Sequence, residues 1–172
     1  HYPLRRQRQM CIRDRIHVLG VCGTFMGGIA VIAKQLGHEV TGSDKGCYPP
    51  MSTQLEDQGL KLYNGYNSQD LIDIQPDLII IGNAMGRNNE AVEYVLNNKI
   101  PYISGPQWLA ENVLQDKTVI AIAGTHGKTT TTSIAAFVFE QCGLNPSFLV
   151  GGVCPDLGTS AKFTDGEHFI IE

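Results

Sequence analysis

The sequence has few of the features that mark secreted, membrane-spanning or nucleic-acid-binding proteins. Its five cysteines are odd in number and form no C-x-x-C pair: Cys11, Cys22, Cys47, Cys142 and Cys154. That pattern argues against a disulfide framework and a zinc site and suits a reducing cytosol, so we expect five free thiols. No apolar run approaches the length of a membrane span. A formal net charge of −4 offers no broad basic surface to nucleic acid. We therefore expect a cytoplasmic protein without membrane or nucleic-acid partners.

The first 15 residues differ in composition from the rest of the chain. Five of the 13 Lys and Arg residues lie there. No apolar segment follows these arginines, so the stretch is not a secretory signal. A basic arm for nucleic acid is the weaker alternative. Because Arg5–Arg15 (RRQRQMCIRDR) resembles a translated sequencing adapter, we expect residues 1–15 to be a non-native or disordered tail outside the fold.

An apolar share of 42% and a charged share of 17% fit a globular protein with a sizeable core. Short apolar runs alternate with segments of helical periodicity, which predicts an α/β fold. The chain ends just after a predicted strand, which we expect at a sheet edge, and we interpret the sequence as an N-terminal fragment of a longer protein. The predicted strands are Ile16–Gly20, Glu39–Ser43, Leu60–Tyr63, Asp77–Ile81, Pro101–Ser104, Val119–Ala123, Phe148–Val150 and His168–Ile171. Helices are predicted at Met26–Leu36, Pro50–Gly59, Glu90–Asn97 and Gly105–Leu114, and after Lys128.

The most informative stretch joins the strand Val119–Ala123 to a helix. Between them lie Gly124–Gly127 (GTHG), then Lys128 and a row of hydroxyl side chains. Strand, glycine loop, Lys-Thr and helix form the P-loop arrangement, in which backbone amides surround a phosphate, Lys128 supplies positive charge and Thr129 reaches Mg²⁺. The usual P-loop spacing requires a glycine where Ile122 stands. The alternative is therefore a glycine turn followed by an exposed lysine.

A second glycine loop, Gly20–Gly28 (GVCGTFMGG), also lies between a predicted strand and a predicted helix. Its glycines do not follow G-x-G-x-x-G, so phosphate binding and simple tight strand–helix packing both remain open. Asp44 follows the next strand, where an acidic residue binds ribose hydroxyls or forms an ordinary turn. Two such loops indicate two phosphate-bearing ligands, one an energy source and the other a substrate or cofactor.

These segments resemble the Mur ligase family. GTHGKTTTT at Gly124–Thr132 resembles its ATP signature, and IHVLGVCGTFMGG followed by VTGSD resembles its UDP-binding first domain. GVCGTFMGG, CYPPMS, IGNAM and SGPQWLAE together most resemble the branch that joins a murein tripeptide to UDP-N-acetylmuramate. The alternatives are the branch that adds L-alanine and a non-catalytic nucleotide-binding fragment. The resemblance covers Ile16–Glu172.

The resemblance implies a Rossmann-like parallel-sheet domain at residues 16–105, a linker helix at 106–117 and the truncated start of a P-loop ATPase domain at 118–172. It implies ATP-dependent ligation of L-Ala-γ-D-Glu-meso-diaminopimelate to UDP-N-acetylmuramate through an acyl phosphate, in peptidoglycan recycling and cell-wall biogenesis. We expect this chain alone to be inactive. The resemblance leaves the oligomeric state open.

The resemblance also implies roles for individual residues. The catalytic residue is Lys128, and the Mg²⁺ ligands are Thr129 and Glu172. For His126, loop packing is as good an interpretation as nucleotide contact. The ATP-binding residues are Gly124, Thr125, His126, Gly127, Lys128, Thr129 and Thr130. The UDP-sugar-binding residues are Gly20, Gly23, Thr24, Phe25, Met26, Gly27, Ser43, Asp44 and Asn83.

Overall fold

The computed structural model describes residues 14–152 and 157–172. Within them, helices and strands alternate and the strands form two sheets. No helix in this described part is long and apolar enough to cross a membrane. The strands are β1 (Arg15–Leu19), β2 (Glu39–Asp44), β3 (Lys61–Asn64), β4 (Leu78–Ile81), β5 (Tyr102–Ser104), β6 (Thr118–Ala121), β7 (Ser147–Leu149), β8 (Ala161–Lys162) and β9 (His168–Ile171). The α-helices are α1 (Thr24–Gln35), α2 (Met51–Asp57), α3 (Ser68–Ile74), α4 (Glu90–Asn97), α5 (Gly105–Leu109) and α6 (Lys128–Gln141).

The first sheet contains five parallel strands in the order β3-β2-β1-β4-β5. Strand β1 lies in the middle, where Ile16 pairs with Val40 on one side and with Leu78 on the other. The chain extends the sheet outward from β1 in one direction and then in the other. In such a sheet, ligands bind beyond the carboxyl ends of the strands, where the direction of winding reverses. The predicted α/β, Rossmann-like architecture is confirmed.

Helices cover both faces of this sheet. On one face, helix α1 buries Ile29 and Ile32 completely, and Trp108 packs in the same cluster with 1% exposure. On the other face, Leu71 of α3 and Val95 of α4 are buried against Ile79 and its neighbours. A strand buried on both faces is a continuous apolar run, which explains the LIII sequence of β4.

The second sheet has the order β6-β9-β7-β8, and only β8 runs antiparallel to its neighbour among these described strands. Phe169 of β9 pairs with Val119 of β6 and with Ser147 of β7. The prediction that the last strand lies at an edge is therefore wrong. Strand β9 inserts between two earlier strands, and its Phe169 and Ile170 are completely buried.

Helix α1 of the first sheet packs directly on the second sheet. A Cβ atom at Gly28 would lie 2.9 Å from Leu149 Cδ1 in β7, so only glycine fits without adjustment. The Gln54 Nε2 atom donates a hydrogen bond to Ser160 Oγ at 2.8 Å, and the backbone N–H of Phe163 donates to Gln35 Oε1 at 2.6 Å. Packing and polar contacts thus join the two halves of the described structure.

Several elements differ from their predictions. The sequence analysis missed α3 and β8, and the predicted helix Gly105–Leu114 continues from α5 into a π-helical turn at Ala110–Leu114. Arg15, placed in the predicted tail, lies in β1, and its backbone N–H donates to Asp77 Oδ2 at 2.9 Å. Asp14 of that tail is also described, and its backbone C=O accepts a hydrogen bond from Glu39 N, whereas residues 1–13 lie outside the described residues. The predicted domain boundaries remain predictions.

The expectation of five free thiols is also wrong. A disulfide joins Cys22, in the first glycine loop, to Cys47, and their Cα atoms lie 5.3 Å apart. Their separation of 25 residues gave no signal in the sequence, because the contact depends on β1 and β2 lying side by side. Cys142 is free and exposed. Cys11 and Cys154 lie outside the described residues.

A buried histidine connects β1 to β2. The His17 side chain is completely buried, with Nδ1 2.7 Å from Thr41 Oγ1 and Nε2 2.8 Å from Ser43 Oγ. Burial lowers the pKa of His17 from 6.5 to about 4, because the imidazolium form loses its hydration. The neutral ring therefore serves as a core hydrogen-bonding group.

We expect His17 to make stability depend on pH. Its pKa is lower in the folded chain, so the unfolded chain binds more protons between pH 6.5 and about 4, and folding weakens as the pH falls through that window. Between pH 7 and pH 5 the free energy of unfolding should fall by about 2 kcal/mol on this account. Urea denaturation at both pH values measures the change.

His17→Gln is the matched variant, since it keeps a polar side chain that does not titrate. Its stability should depend less on pH, with a smaller slope remaining from His38, whose pKa is also lowered by burial. Equal pH dependence in the two proteins would show that His17 does not carry the effect.

We also expect Gly42 in β2 to tolerate no side chain. A Cβ atom there would lie 2.6 Å from Val21 Cβ, which is completely buried. Gly42→Ala should lower the free energy of unfolding by about 1–3 kcal/mol through overpacking. Gly86→Ala is the control, because its new Cβ atom meets no atom of the described structure within 4 Å. Similar urea midpoints for both variants would contradict the close packing of Val21 on β2.

Candidate functional site

The first candidate site lies at the amino end of helix α1. Gly23 is the N-cap residue, and no described side chain caps this end. The backbone N–H groups of Thr24, Phe25 and Met26 precede the first helical hydrogen bond, which Gly27 donates to Gly23 O at 2.7 Å. Uncapped amides at a helix amino end, together with the helix dipole, attract an anion. This end of α1 is therefore suited to a phosphate group.

The glycines of this loop have different tasks. Gly20 has a φ of +81°, which glycine adopts without strain, and its N–H donates to Ser43 O at 2.9 Å. A Cβ atom at Gly27 would lie 2.9 Å from Met51 Sδ and 3.0 Å from Val21 O. Gly27 therefore allows tight packing, the alternative that the sequence left open, while Gly20 and Gly23 shape the turn.

Asp44 lies at the end of β2 and stabilises the same loop. Its Oδ2 atom accepts a hydrogen bond from Cys22 N at 2.9 Å, and its Oδ1 atom accepts from Tyr66 Oη at 3.1 Å. Partial burial and the Asp44 charge raise the pKa of Tyr66 to about 12, so its hydroxyl stays protonated and donates. Asp44 thus acts as a turn residue and still faces the neighbouring cavity.

That cavity has a volume of about 350 Å³ and opens beside the carboxyl ends of β2 and β3. The sequence analysis placed only Asp44 there and missed the residues that α2 and β3 contribute. One signal could have found Asn64: it ends β3 and pairs with Asp44 in the parallel register. The cavity is lined by Asp44, Lys45, Cys47, Tyr48, Ser52, Glu56, Leu62, Tyr63 and Asn64.

Three other predicted ligand residues lie in contrasting places. Ser43 is 2% exposed and its hydroxyl hydrogen-bonds to His17, so its side chain is not available to a ligand, which corrects that prediction. The Met26 side chain is likewise buried, although its backbone N–H faces the helix end. Asn83 is exposed just after β4, and the neighbouring Gly82 N–H donates to Leu19 O at 3.0 Å beside the glycine loop.

The second candidate site lies between β6 and helix α6. Gly127 is the N-cap residue, with a φ of +76° and no side-chain cap among the described residues. The first helical hydrogen bond of α6 runs from Thr131 N to Gly127 O at 2.9 Å, so the amides of Lys128, Thr129 and Thr130 precede it. Lys128 Nζ donates to Gly124 O at 2.9 Å. Thr125 and His126 are exposed within the loop.

The fold brings the two predicted Mg²⁺ ligands together. Thr129 Oγ1 donates to the Glu172 carboxylate, at 2.9 Å from Oε1 and 3.2 Å from Oε2, across 43 residues of sequence. The backbone N–H of Gly151 donates to the same carboxylate. Strand β9 ends just before Glu172 and lies next to β6, which leads into the loop of α6.

The chemistry of this pair fits magnesium. A hydroxyl and a carboxylate oxygen are hard ligands, and Mg²⁺ commonly keeps several waters with one or two protein ligands. In the described parts of the chain, no three His, Cys, Asp or Glu side chains cluster as a metal site. Thr129 and Glu172 are thus two hard oxygen ligands of the kind that a magnesium ion takes from a protein.

Known proteins resemble this chain over most of its length. Residues 15–117 match the model described as "Mur ligase family, catalytic domain". The chain is 58% identical over 158 residues to the UDP-N-acetylmuramate–L-alanyl-γ-D-glutamyl-meso-2,6-diaminoheptandioate ligase of Escherichia coli K12, covering 92% of this chain and 34% of that protein. It is 38% identical over 159 residues to the UDP-N-acetylmuramate–L-alanine ligase of Dictyoglomus turgidum, covering 92% of this chain and 33% of that protein.

A solved structure also resembles this chain, in sequence and in fold. The UDP-N-acetylmuramate:L-alanyl-γ-D-glutamyl-meso-diaminopimelate ligase from Neisseria meningitides superposes with a TM-score of 0.89 at 48% identity, covering 94% of this chain and 52% of that one. The chain spans about a third of the length of the curated relatives it matches. From the match over residues 15–117 and this likeness of sequence and fold, the chain belongs to the Mur ligase family.

Proposed function

We propose that this chain is part of an ATP-dependent ligase that joins a murein tripeptide to UDP-N-acetylmuramate. The observation that carries the proposal is the 58% identity to a relative named for that reaction, against 38% to a relative named as an L-alanine ligase. The chain spans about a third of the length of these relatives, so the activity is proposed for the whole protein. Peptidoglycan recycling, in the bacterial cytoplasm, is the proposed context.

The first sheet, in the proposed domain of residues 16–105, would bind the UDP-sugar. The uncapped amides at the amino end of α1 suit its diphosphate, and the cavity beside Asp44 suits the groups attached to it. The exposed Asn83 lies beside the same loop and remains a proposed contact. Ser43 is left out, because its hydroxyl is buried against His17.

The second sheet, in the proposed domain of residues 118–172, would bind ATP. The amides of Gly124–Thr130 would surround its phosphates, and Lys128 would exchange its bond to Gly124 O for the transferred phosphoryl group. Thr129 and Glu172 would hold Mg²⁺, which neutralises phosphate charge when bound. His126 is open to solvent in the loop, where it can contact the nucleotide.

In the proposed reaction, the γ-phosphoryl group of ATP passes to the lactyl carboxylate of UDP-N-acetylmuramate and gives an acyl phosphate. The peptide amine then attacks the acyl carbon, phosphate leaves, and an amide results. Such transfer depends on positioning and charge neutralisation. Lys128 is the one described side chain that we assign to the charge developing on the phosphoryl oxygens.

L-Alanine ligation is the second candidate function, and the 38% identity to such a ligase supports it. A substrate panel with L-alanine and the tripeptide, tested on the intact ligase, separates the two. Amide formation with the tripeptide alone supports the proposal. Turnover with L-alanine alone would contradict it and support L-alanine ligation instead.

We expect this chain by itself to bind UDP-N-acetylmuramate. The amino end of α1 and the cavity beside Asp44 are formed by residues between positions 23 and 64, so both lie within this chain. Titration calorimetry with UDP-N-acetylmuramate measures binding, with NADH as the control ligand. Binding of NADH without binding of the UDP-sugar would indicate an oxidoreductase and contradict the proposal.

In the intact ligase, Lys128→Ala should reduce turnover while the Kd for UDP-N-acetylmuramate stays unchanged. Lys128 lies in the second sheet and acts on the phosphoryl transition state, and removal of one such group costs about a hundred- to thousandfold in rate. Steady-state kinetics and calorimetry supply the two readouts. Near-normal turnover would identify Gly124–Thr130 as a structural turn.

Thr129→Ala in the intact ligase should lower turnover and recover in part at raised Mg²⁺, because it removes the metal-facing hydroxyl and keeps the Lys128 charge. Ser133→Ala is the matched control on the same helix, since the Ser133 hydroxyl donates only to Thr129 O in the described structure. Its turnover should not depend on added Mg²⁺. If turnover of the two variants responded equally to added Mg²⁺, that result would argue against the Thr129 metal site.

A further inference from the structure

We propose that Cys22 and Cys47 form a reversible dithiol–disulfide pair whose oxidation state sets the affinity of the first site for its UDP-sugar. The effect on affinity rests on the proposed function of that site. The pair lies on two segments that both shape the site: Cys22 in the glycine loop between β1 and α1, and Cys47 between β2 and α2. Oxidation therefore adds a covalent bond between two segments that both shape the site.

The geometry permits bond formation without rearrangement of the chain. The two Cα atoms lie 5.3 Å apart and the sulfur atoms are joined in the structure. Disulfides require a Cα separation of about 4.4–6.8 Å. Both residues are partly exposed, so a small thiol or disulfide can reach them. In a reducing cytosol, disulfides are usually transient and redox-sensing, which suits a pair that solvent can reach.

The disulfide reinforces a weak polar connection between the same two segments. The N–H of Cys22 donates to Asp44 Oδ2 at 2.9 Å, and Gly46 N donates to Asp44 Oδ1 at 3.4 Å. Tyr48, in the segment after Cys47, is 73% exposed and packs on little. Backbone bonds from Gly20 and Val21 to Ser43 O, and the packing of Met51 beside Gly27, fix the two ends of this segment, and between those ends the disulfide adds to the contacts of Asp44.

The position of Cys47 in the cavity wall leads to an expectation of which redox state binds more tightly. Cys47 lines the cavity of about 350 Å³, and that cavity is open while the disulfide is formed. The oxidised chain therefore holds its binding wall in place before the ligand arrives. Reduction frees the segment around Cys47, and the ligand must then order it, which weakens binding. The oxidised form is the high-affinity form.

The redox step requires a low-molecular-weight disulfide such as oxidised glutathione. One cysteine thiolate attacks the glutathione disulfide, forms a mixed disulfide and releases one glutathione thiol. The second cysteine attacks the protein sulfur of that mixed disulfide and releases the second glutathione thiol. The protein thus loses two protons and two electrons, which the two glutathione thiols carry. Reduced glutathione reverses the sequence.

The test uses the full 172-residue chain carrying Cys11→Ser, Cys142→Ser and Cys154→Ser, so that Cys22 and Cys47 are its only cysteines. The chain is equilibrated with graded ratios of oxidised to reduced glutathione. Mass spectrometry follows the loss of two hydrogen atoms and maps the cross-linked peptide. Calorimetry with UDP-N-acetylmuramate gives the Kd of the oxidised and reduced forms, and Cys47→Ala in the same background is the control.

We expect the disulfide to form and reverse with the glutathione ratio, and the oxidised form to bind about three- to tenfold more tightly. The Cys47→Ala control should bind with the weaker affinity at every ratio. Absence of the disulfide at all ratios, or equal Kd values for the two forms, would overturn the redox inference alone. Binding by neither form would instead refute the proposed function of the site, and with it the control of affinity.

Discussion

The parallel pairing of β1 between β2 and β4 is the constraint on which the first half of the structure depends. It places the carboxyl ends of three strands side by side, and the segments that follow them become neighbours: the glycine loop, Asp44 and the loop that carries Asn83. Backbone hydrogen bonds close this arrangement, from Gly20 N to Ser43 O and from Gly82 N to Leu19 O. The candidate UDP-sugar site is thus a consequence of strand order.

The same physical rule governs the second sheet. Strand β9 pairs in parallel with β6, so the residue after β9 lies beside the loop after β6. Glu172 then reaches the Thr129 hydroxyl, although 43 residues separate them. In both sheets the functional groups follow strand ends, where backbone amides are free and helices begin. The two candidate sites are therefore constructed alike, each at the carboxyl ends of parallel strands.

Polar groups near the first site are divided between support and binding. Inside the sheet, a hydrogen bond joins the side chains of His17 and Ser43. Asp44 accepts hydrogen bonds from the glycine loop and from Tyr66, and it also lines the cavity. The disulfide adds a covalent connection between the same loop and the cavity wall. A short stretch, Ser43–Cys47, therefore contains a core group, a loop-stabilising carboxylate and a cross-link.

Much of the local structure could be predicted from sequence. Apolar runs and helical periodicity identified most strands and helices, and His168–Ile171 and Glu90–Asn97 have the predicted bounds. The α/β class and the family followed from motifs whose residues lie close together in the chain. Short elements with weak patterns, such as α3 and the two-residue β8, were missed because a few residues carry too little periodic signal.

Helix α6 shows the limit of periodicity. The spacing of Ile134, Phe137 and Val138 predicted a helix correctly, yet all three are exposed. The second sheet is covered by the face that carries Thr132 and Ala136, both completely buried. Periodicity establishes that a helix forms, whereas the position of the neighbouring strands decides which face is covered.

The sequence by itself determined most of the helices and strands, the two glycine loops and the residue types that suit phosphate and magnesium. The tertiary structure alone decided that β9 is central, that Thr129 meets Glu172, that Ser43 faces the core and that Cys22 meets Cys47. The physical reason is that local propensity acts over a few residues, while these contacts join segments far apart in the chain. Only the order and register of the strands bring such segments together.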